Sequence, residues 1–223
     1  MVEVVHRARR RRRDGERLAR AASGYAARGW PVCPGAHPAS SQARSAGSTR
    51  ACSCDRVGCP APGAHPISPA WQIQASTDPD VVSHWWTELP QAGILLVTGR
   101  SFDVLDVPLP AGQAALERMH RAGARPGPVA VSADDRALFF VATRAARAAD
   151  DEWWSCHLDC EPDTLPTVTG LRWHCRDSYV LAPPSPLATG LTARWVREPG
   201  VAPLPDALRL LEFLADACEE MAR

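Results

Sequence analysis

Apolar and polar positions along the chain fall into stretches of helical period, short near-continuous apolar runs, and stretches with no period at all. Over Asp14–Arg28, Leu18, Ala22, Tyr25 and Ala26 share one face with Glu16, Arg17 and Arg20 away from it, which predicts a helix that Gly29 stops. Trp30–Val32 reads as a short strand. Thr77-Asp78-Pro79 supplies a capping side chain and a first-turn proline, and the helix it opens carries Val81, Val82, Trp85 and Trp86 to an end at Pro90. Gly93–Thr98 and Phe102–Val107 are β-rich runs parted by the turn Gly99-Arg100-Ser101. A helix over about 112–122 turns Ala115, Leu116 and Met119 inward. Val129–Ser132 and Ala137–Ala142 predict a hairpin, Leu171–Cys175 and Ser178–Ala182 two further strands, and Thr192–Val196 one more; residues 144–168 carry no readable pattern. The stripe Ala207, Leu210, Leu211, Leu214, Cys218 and Met221 makes Asp206–Ala222 an amphipathic helix. Strands mixed with helices, and hairpin-like neighbours, predict an α+β fold with a mainly antiparallel sheet and flanking helices.

Two segments stand outside this pattern. Residues 1–13 hold the arginine run Arg7 and Arg9–Arg13 and are expected to be a disordered basic arm ahead of a domain over 14–200, with 201–223 as a C-terminal helix. Phosphate contact is mostly arginine or lysine charge, so Arg9, Arg10, Arg11, Arg12 and Arg13 are candidate nucleic-acid contacts. A solvated tail is the alternative, because all 25 basic residues are arginine and the abundance of Ala, Arg and Pro suits GC-rich coding. Net charge is zero, so the whole chain has no bias toward nucleic acid or acidic membranes. No apolar segment follows the basic run as a secretion signal requires, and no run approaches eighteen apolar residues. The expectation is a cytoplasmic protein with reduced thiols and no membrane contact.

Residues 33–70 are rich in Pro, Gly, Ser and Cys and need an internal staple if they are to be ordered. Within them Cys52-x-Cys54-x4-Cys59-x5-His65 supplies four N or S donors with glycine and proline between, a pattern that suits structural zinc. Free thiols in a loop are the bland alternative, and Cys33 or His37 upstream are substitute ligands. Cys156, His157, Cys160, His174 and Cys175 form a second group, flanked by Trp153, Trp154 and Trp173, that is either ordinary core or a second metal site.

The ordered set GYAARGWPV, CSC…CPAPGAHP, Trp71, TDPD…HWW, VTG…FDVLDV, GPV and SYVLAPPS resembles the N-terminal domain of bifunctional DNA primase/polymerases, in the archaeo-eukaryotic primase superfamily, over residues 20–197 or so. The resemblance implies a primase-polymerase-like core with an RRM-like sheet, a zinc-stapled loop, and single-stranded DNA or RNA as partner. It also implies a two-metal site, with Mg or Mn if the chain is catalytically active.

The motifs that carry that chemistry are damaged. Asp106 stands at the family's Asp-x-Asp, with Pro108 in place of the second carboxylate. Asp103, three residues away on a strand, is expected on the opposite face. Ala137 stands where the resemblance places a phosphate-binding histidine, with Arg136 beside it as a substitute contact, and Arg172 where it places an aspartate. Three readings compete: a primase/polymerase-like domain without catalysis, binding nucleic acid or serving as a replication-associated module; an active nucleotidyltransferase using Asp103, Asp106 and Asp177; and a zinc-stapled protein-interaction module.

Overall fold

The computed structural model describes residues 2–39, 52–54, 56, 58–132, 135–143 and 170–223. In chain order its elements are α1 (Val2–Ala27), β1 (Val32–Gly35), α2 (Trp71–Gln74), α3 (Pro79–Glu88), β2 (Gly93–Val97), β3 (Asp103–Pro108), α4 (Leu109–Arg121), β4 (Val129–Val131), β5 (Arg136–Val141), β6 (Arg172–His174), β7 (Tyr179–Ala182), β8 (Arg194–Arg197) and α5 (Ala207–Met221). The chain divides into two units, one of Met1–Val97 with Leu181–Ala193, the other of Thr98–Val180 with Arg194–Arg223. No helix among the described residues is long and apolar enough to cross a membrane.

The arginine run, expected as a disordered arm, is part of α1, which runs unbroken from Val2. Arginine is a good helix former, and nothing in the run breaks a helix before Gly15. Arg10 lies 4.0 Å from Asp14 and Arg12 lies 3.0 Å from Glu16, both four residues apart, so acidic side chains offset the like-charge repulsion. Gly15 is tolerated because the helix needs it: a Cβ there would sit 2.9 Å from the Pro90 carbonyl oxygen.

The end of α1 is a Schellman motif. Gly29 at φ 75° donates to the Ala26 carbonyl at 2.8 Å, and Trp30 donates to Tyr25 at 3.1 Å. The rings of Tyr25 and Trp30 stack, with centroids 6.0 Å apart, and seal the apolar contact that accompanies such an ending. The Tyr25 hydroxyl donates to Pro183 O at 2.6 Å, tying α1 to the segment after β7. In α3, Asp78 caps the Asp80 N–H at 2.9 Å and Pro79 occupies the first turn. Val82 and Trp86 are buried, with the Trp86 indole donating to Ala92 O, while Val81 is exposed. The first unit's sheet has the order β1-β2-β7, and β2 is buried along its whole length. Trp30, expected in a strand, closes the helix instead, and β1 starts at Val32, antiparallel to β2 with Val32 opposite Leu96.

The second unit holds a five-stranded sheet in the order β6-β3-β5-β4-β8, antiparallel throughout. The expected hairpin is β4–β5, with Ser132 N–H closing on Arg136 O at 3.0 Å. Alternation sends Asp103, Leu105 and Val107 to one face and Val104, Asp106 and Pro108 to the other. On the first face Leu105, Val107, Phe139 and Trp173 pack against Ala115 and Met119 of α4 and Leu210 and Leu214 of α5. The approach of α4 is close: a Cβ on Gly112 would lie 2.5 Å from that of Ala137. On the second face Phe140 lies between Phe102 and Trp195, at centroid distances of 5.4 and 5.2 Å. The α+β class with antiparallel sheets is therefore as the sequence pattern predicts. The segment 144–169, with Trp153, Trp154, Cys156, His157 and Cys160, lies outside the described residues.

Candidate functional site

In the first unit, the chain after β1 serves as a bench for the cysteine loop. Pro38 bridges to Cys52 and Gly35 to Pro66. Ser53 N–H donates to His37 O at 2.9 Å, and Ala36 N–H donates to His65 O at 2.8 Å. Both ends of the Cys52–His65 segment are thus held on the same strip. Held this way, the donor atoms of Cys52, Cys54, Cys59 and His65 all lie within 4.8 Å of one another. A tetrahedral zinc site, with Zn–S of about 2.3 Å, requires neighbouring donors about 3.5–3.8 Å apart. The Cys52 Sγ to His65 Nε2 distance is 3.4 Å. His65 Nδ1 lies 2.9 Å from Pro66 O; a carbonyl only accepts, so Nδ1 carries the proton and the Nε2 lone pair faces the thiols. The Gly63 N–H donates to Cys52 Sγ at 3.3 Å. Residues and geometry therefore fit a metal ion. Cys54 is lowered to about 7, first by the backbone N–H of Arg56, whereas burial pushes the Cys59 thiol up. Cys33 is buried in β1 opposite Leu95, and neither it nor His37, whose pKa burial lowers, belongs to the donor group.

In the second unit, Asp106 is not the solvent-facing strand end that a lone aspartate suggests. It is 5% exposed, and protein donors hold both of its carboxylate oxygens. The Arg136 Nε donates to Oδ1 at 2.6 Å, and His174 Nε2 lies 3.2 Å from Oδ2. The Arg136 Nη2 donates to two carbonyls, Asp106 O at 3.1 Å and Gly170 O at 2.6 Å. Sheet register explains the meeting. Arg136 stands opposite Pro108 and His174 opposite Val104, so all three side chains share the Asp106 face. His174 Nδ1 is 3.0 Å from Ser178 Oγ, which sets the ring's orientation.

The register also corrects several sequence expectations. Ala137 points to the helix-covered face, against Gly112, where an imidazole has no room and no phosphate reaches. Arg136 is turned into Asp106 rather than outward to a phosphate. His174 meets Asp106; the second group named with it, through Cys156, His157 and Cys160, lies outside the described residues. Asp103 lies, as alternation predicts, on the opposite face from Asp106, buried, and receives the Trp173 indole N–H at 3.3 Å. Among the described residues Asp103, Asp106 and Asp177 form no metal-holding group; the Cys52, Cys54, Cys59 and His65 group is the one that does. Arg172 stands directly opposite Asp106 on β6 and is exposed. Alternation along Arg172-Trp173-His174 was the available signal for His174, but it needs the β3–β6 pairing to be known first. The candidate arginines are split by α1: Arg10 and Arg11 line a cleft with Arg17, Arg12 bonds Glu16, and Arg9 and Arg13 are exposed.

These features define an α+β domain with a Cys3His clip in one unit and a strand-borne aspartate in the other. Residues 22–207 match the family of N-terminal domains of bifunctional DNA primase/polymerases, and the chain belongs to that Prim-Pol family. No curated protein matches the chain.

Proposed function

We propose that this chain is a primase/polymerase-like domain that no longer transfers nucleotides and acts by binding nucleic acid. The observation that carries the reading is the state of Asp106: both oxygens are engaged by Arg136 and His174. Two-metal chemistry needs carboxylates open toward both ions. Here one carboxylate is closed by an internal cation, and the neighbouring position on the same face is Pro108. Arg172, opposite Asp106, adds a positive charge that opposes a divalent ion.

The strand order supports the core assignment. Taken in chain order, β3, β4, β5 and β6 lie in space as 4-1-3-2, with α4 connecting the first two, the arrangement of a ferredoxin-like or RRM-like sheet. In the other unit the metal is zinc, bound by Cys52, Cys54, Cys59 and His65. Four protein donors leave no position for water, so its role is to hold the loop rather than to activate a substrate.

The test is primer extension by the purified chain with magnesium or manganese, alongside an active family member. The expected result is no incorporation above a blank without protein. Incorporation by the natural chain that Asp106→Ala abolishes would overturn the reading and make Asp106 a metal ligand.

A further inference from the structure

Beside the cysteine clip, whose Cys54 lines the wider of them, the first unit carries two adjoining clefts that share His37, Pro90 and Gln91. The narrower, about 230 Å³, has Arg10, Arg11 and Arg17 in its lining against one carboxylate, Asp14, together with Pro184 and Pro186. The wider, about 540 Å³, is walled by the apolar Ile67, Leu89 and Ala92 and bounded by Glu88. One end of the combined trough is cationic, and the other is apolar with an acidic margin.

We propose that this trough seats one strand of nucleic acid, with backbone phosphates along Arg10, Arg11 and Arg17 and a neighbouring unpaired base in the wider cleft. This rests on the nucleic-acid-binding reading above and assigns it a place. Arginine forks suit phosphate oxygens. From Arg10 to Arg17 the helix advances about 10 Å, room for more than one phosphate. Glu88 repels a phosphate from the wide cleft but not a base, whose flat faces suit Ile67 and Leu89 and whose edge suits the Gln91 amide. The charge gradient along the trough therefore fixes which part of a nucleotide lies where. A duplex does not fit, because its bases are stacked inside and out of reach of the apolar cleft. The helical state of the arginine run is what makes the site: on a free arm the three guanidinium groups would have no fixed spacing.

The experiment is fluorescence anisotropy of a labelled oligothymidylate of roughly a dozen nucleotides titrated with the full chain at several salt concentrations. The variant Arg10→Glu/Arg11→Glu/Arg17→Glu should bind at least about tenfold more weakly, with the salt slope flattened by about 0.7 for each phosphate that the variant no longer neutralises. Arg10→Gln/Arg11→Gln/Arg17→Gln, which adds no repulsion within α1, should weaken binding in the same direction and serves if the first fails to fold. Ile67→Ala/Leu89→Ala should weaken binding severalfold and leave the salt slope alone. Arg121→Glu/Arg125→Glu/Arg209→Glu, in the other unit, should leave binding unchanged. Oligonucleotide binding that no trough variant weakens would overturn this placement while leaving the binding reading intact. No binding by the natural chain at low salt would overturn both. Free thymidine monophosphate binding as tightly as the oligonucleotide would overturn the assignment to a strand.

Discussion

Replacing Arg136 with methionine keeps an aliphatic stem but removes every donor that Arg136 offers to Asp106 and Gly170. Breaking one partner of a buried ion pair typically costs about 3–5 kcal/mol, because the remaining charge is left in a poorly hydrated place. Two features lower that figure here. His174 still reaches Oδ2, and the Arg136 side chain is 14% exposed against 6% for Asp106, so water has some access to the cleared space. Leaving Gly170 O without its donor adds about 1 kcal/mol. The expected total is about 2–3 kcal/mol, a 30- to 150-fold fall in the folding constant. With a urea slope near 2 kcal/mol/M the midpoint drops by roughly 1 M. Urea unfolding followed by tryptophan fluorescence is a suitable assay, since Trp173 lies on the strand that pairs with Asp106's own. Asp106→Asn alone strands the guanidinium and should cost a similar amount. The double variant Asp106→Asn/Arg136→Met removes both charges and should be more stable than the sum of the singles by about 1.5–2 kcal/mol. Additive losses, or a single-variant change under about 0.5 kcal/mol, would show that the pair is not the closed charge described above.

Three further outcomes are expected. Elemental analysis of the purified chain should find one zinc per molecule; after chelation Cys54 should be alkylated before Cys59, while buried Cys33, Cys175 and Cys218, the last raised by burial to about 11, stay protected in the folded protein. Gly63→Ala should weaken metal retention in a competition with a chromogenic chelator, because Gly63 has φ +80° and a Cβ there would lie 2.5 Å from Pro38 Cδ; unchanged retention would dissociate the Gly63–Cys52 hydrogen bond from the clip. Gly15→Val should destabilise the fold by at least about 1–3 kcal/mol in thermal unfolding, since the Pro90 backbone cannot yield as a side chain would.

What was legible in the sequence was local. The clip could be read because its four donors lie within fourteen residues and need only a turn between each, and the Asp78 cap because it acts on the next turn of chain. The α5 stripe was read nearly whole, but Met221 is exposed and Ala217, not singled out, is buried. The arginine run was read as a disordered arm, whereas helix propensity and two acidic residues one turn along favour a helix. The surroundings of Asp106 were illegible for a different reason. Arg136 and His174 are 30 and 68 residues away and arrive through strand pairing, which hydrophobic period does not encode. The same register turned Ala137, read as standing in for a phosphate-binding histidine, into a packing position beneath α4.

The path of the chain through its two units has a consequence for synthesis on the ribosome. The central strand of the first unit, β2, is complete at Val97, but its second neighbour, β7, ends only at Ala182, about 85 residues later. At elongation rates of about 5–20 residues per second that gap lasts roughly 4–17 s. Throughout it the buried run Gly93-Ile94-Leu95-Leu96-Val97 has β1 on one side and an open edge on the other. Such an edge is a template for pairing with another nascent chain. Fragments ending before residue 179 are therefore expected to aggregate, and expression should improve when translation is sparse enough to keep neighbouring chains apart.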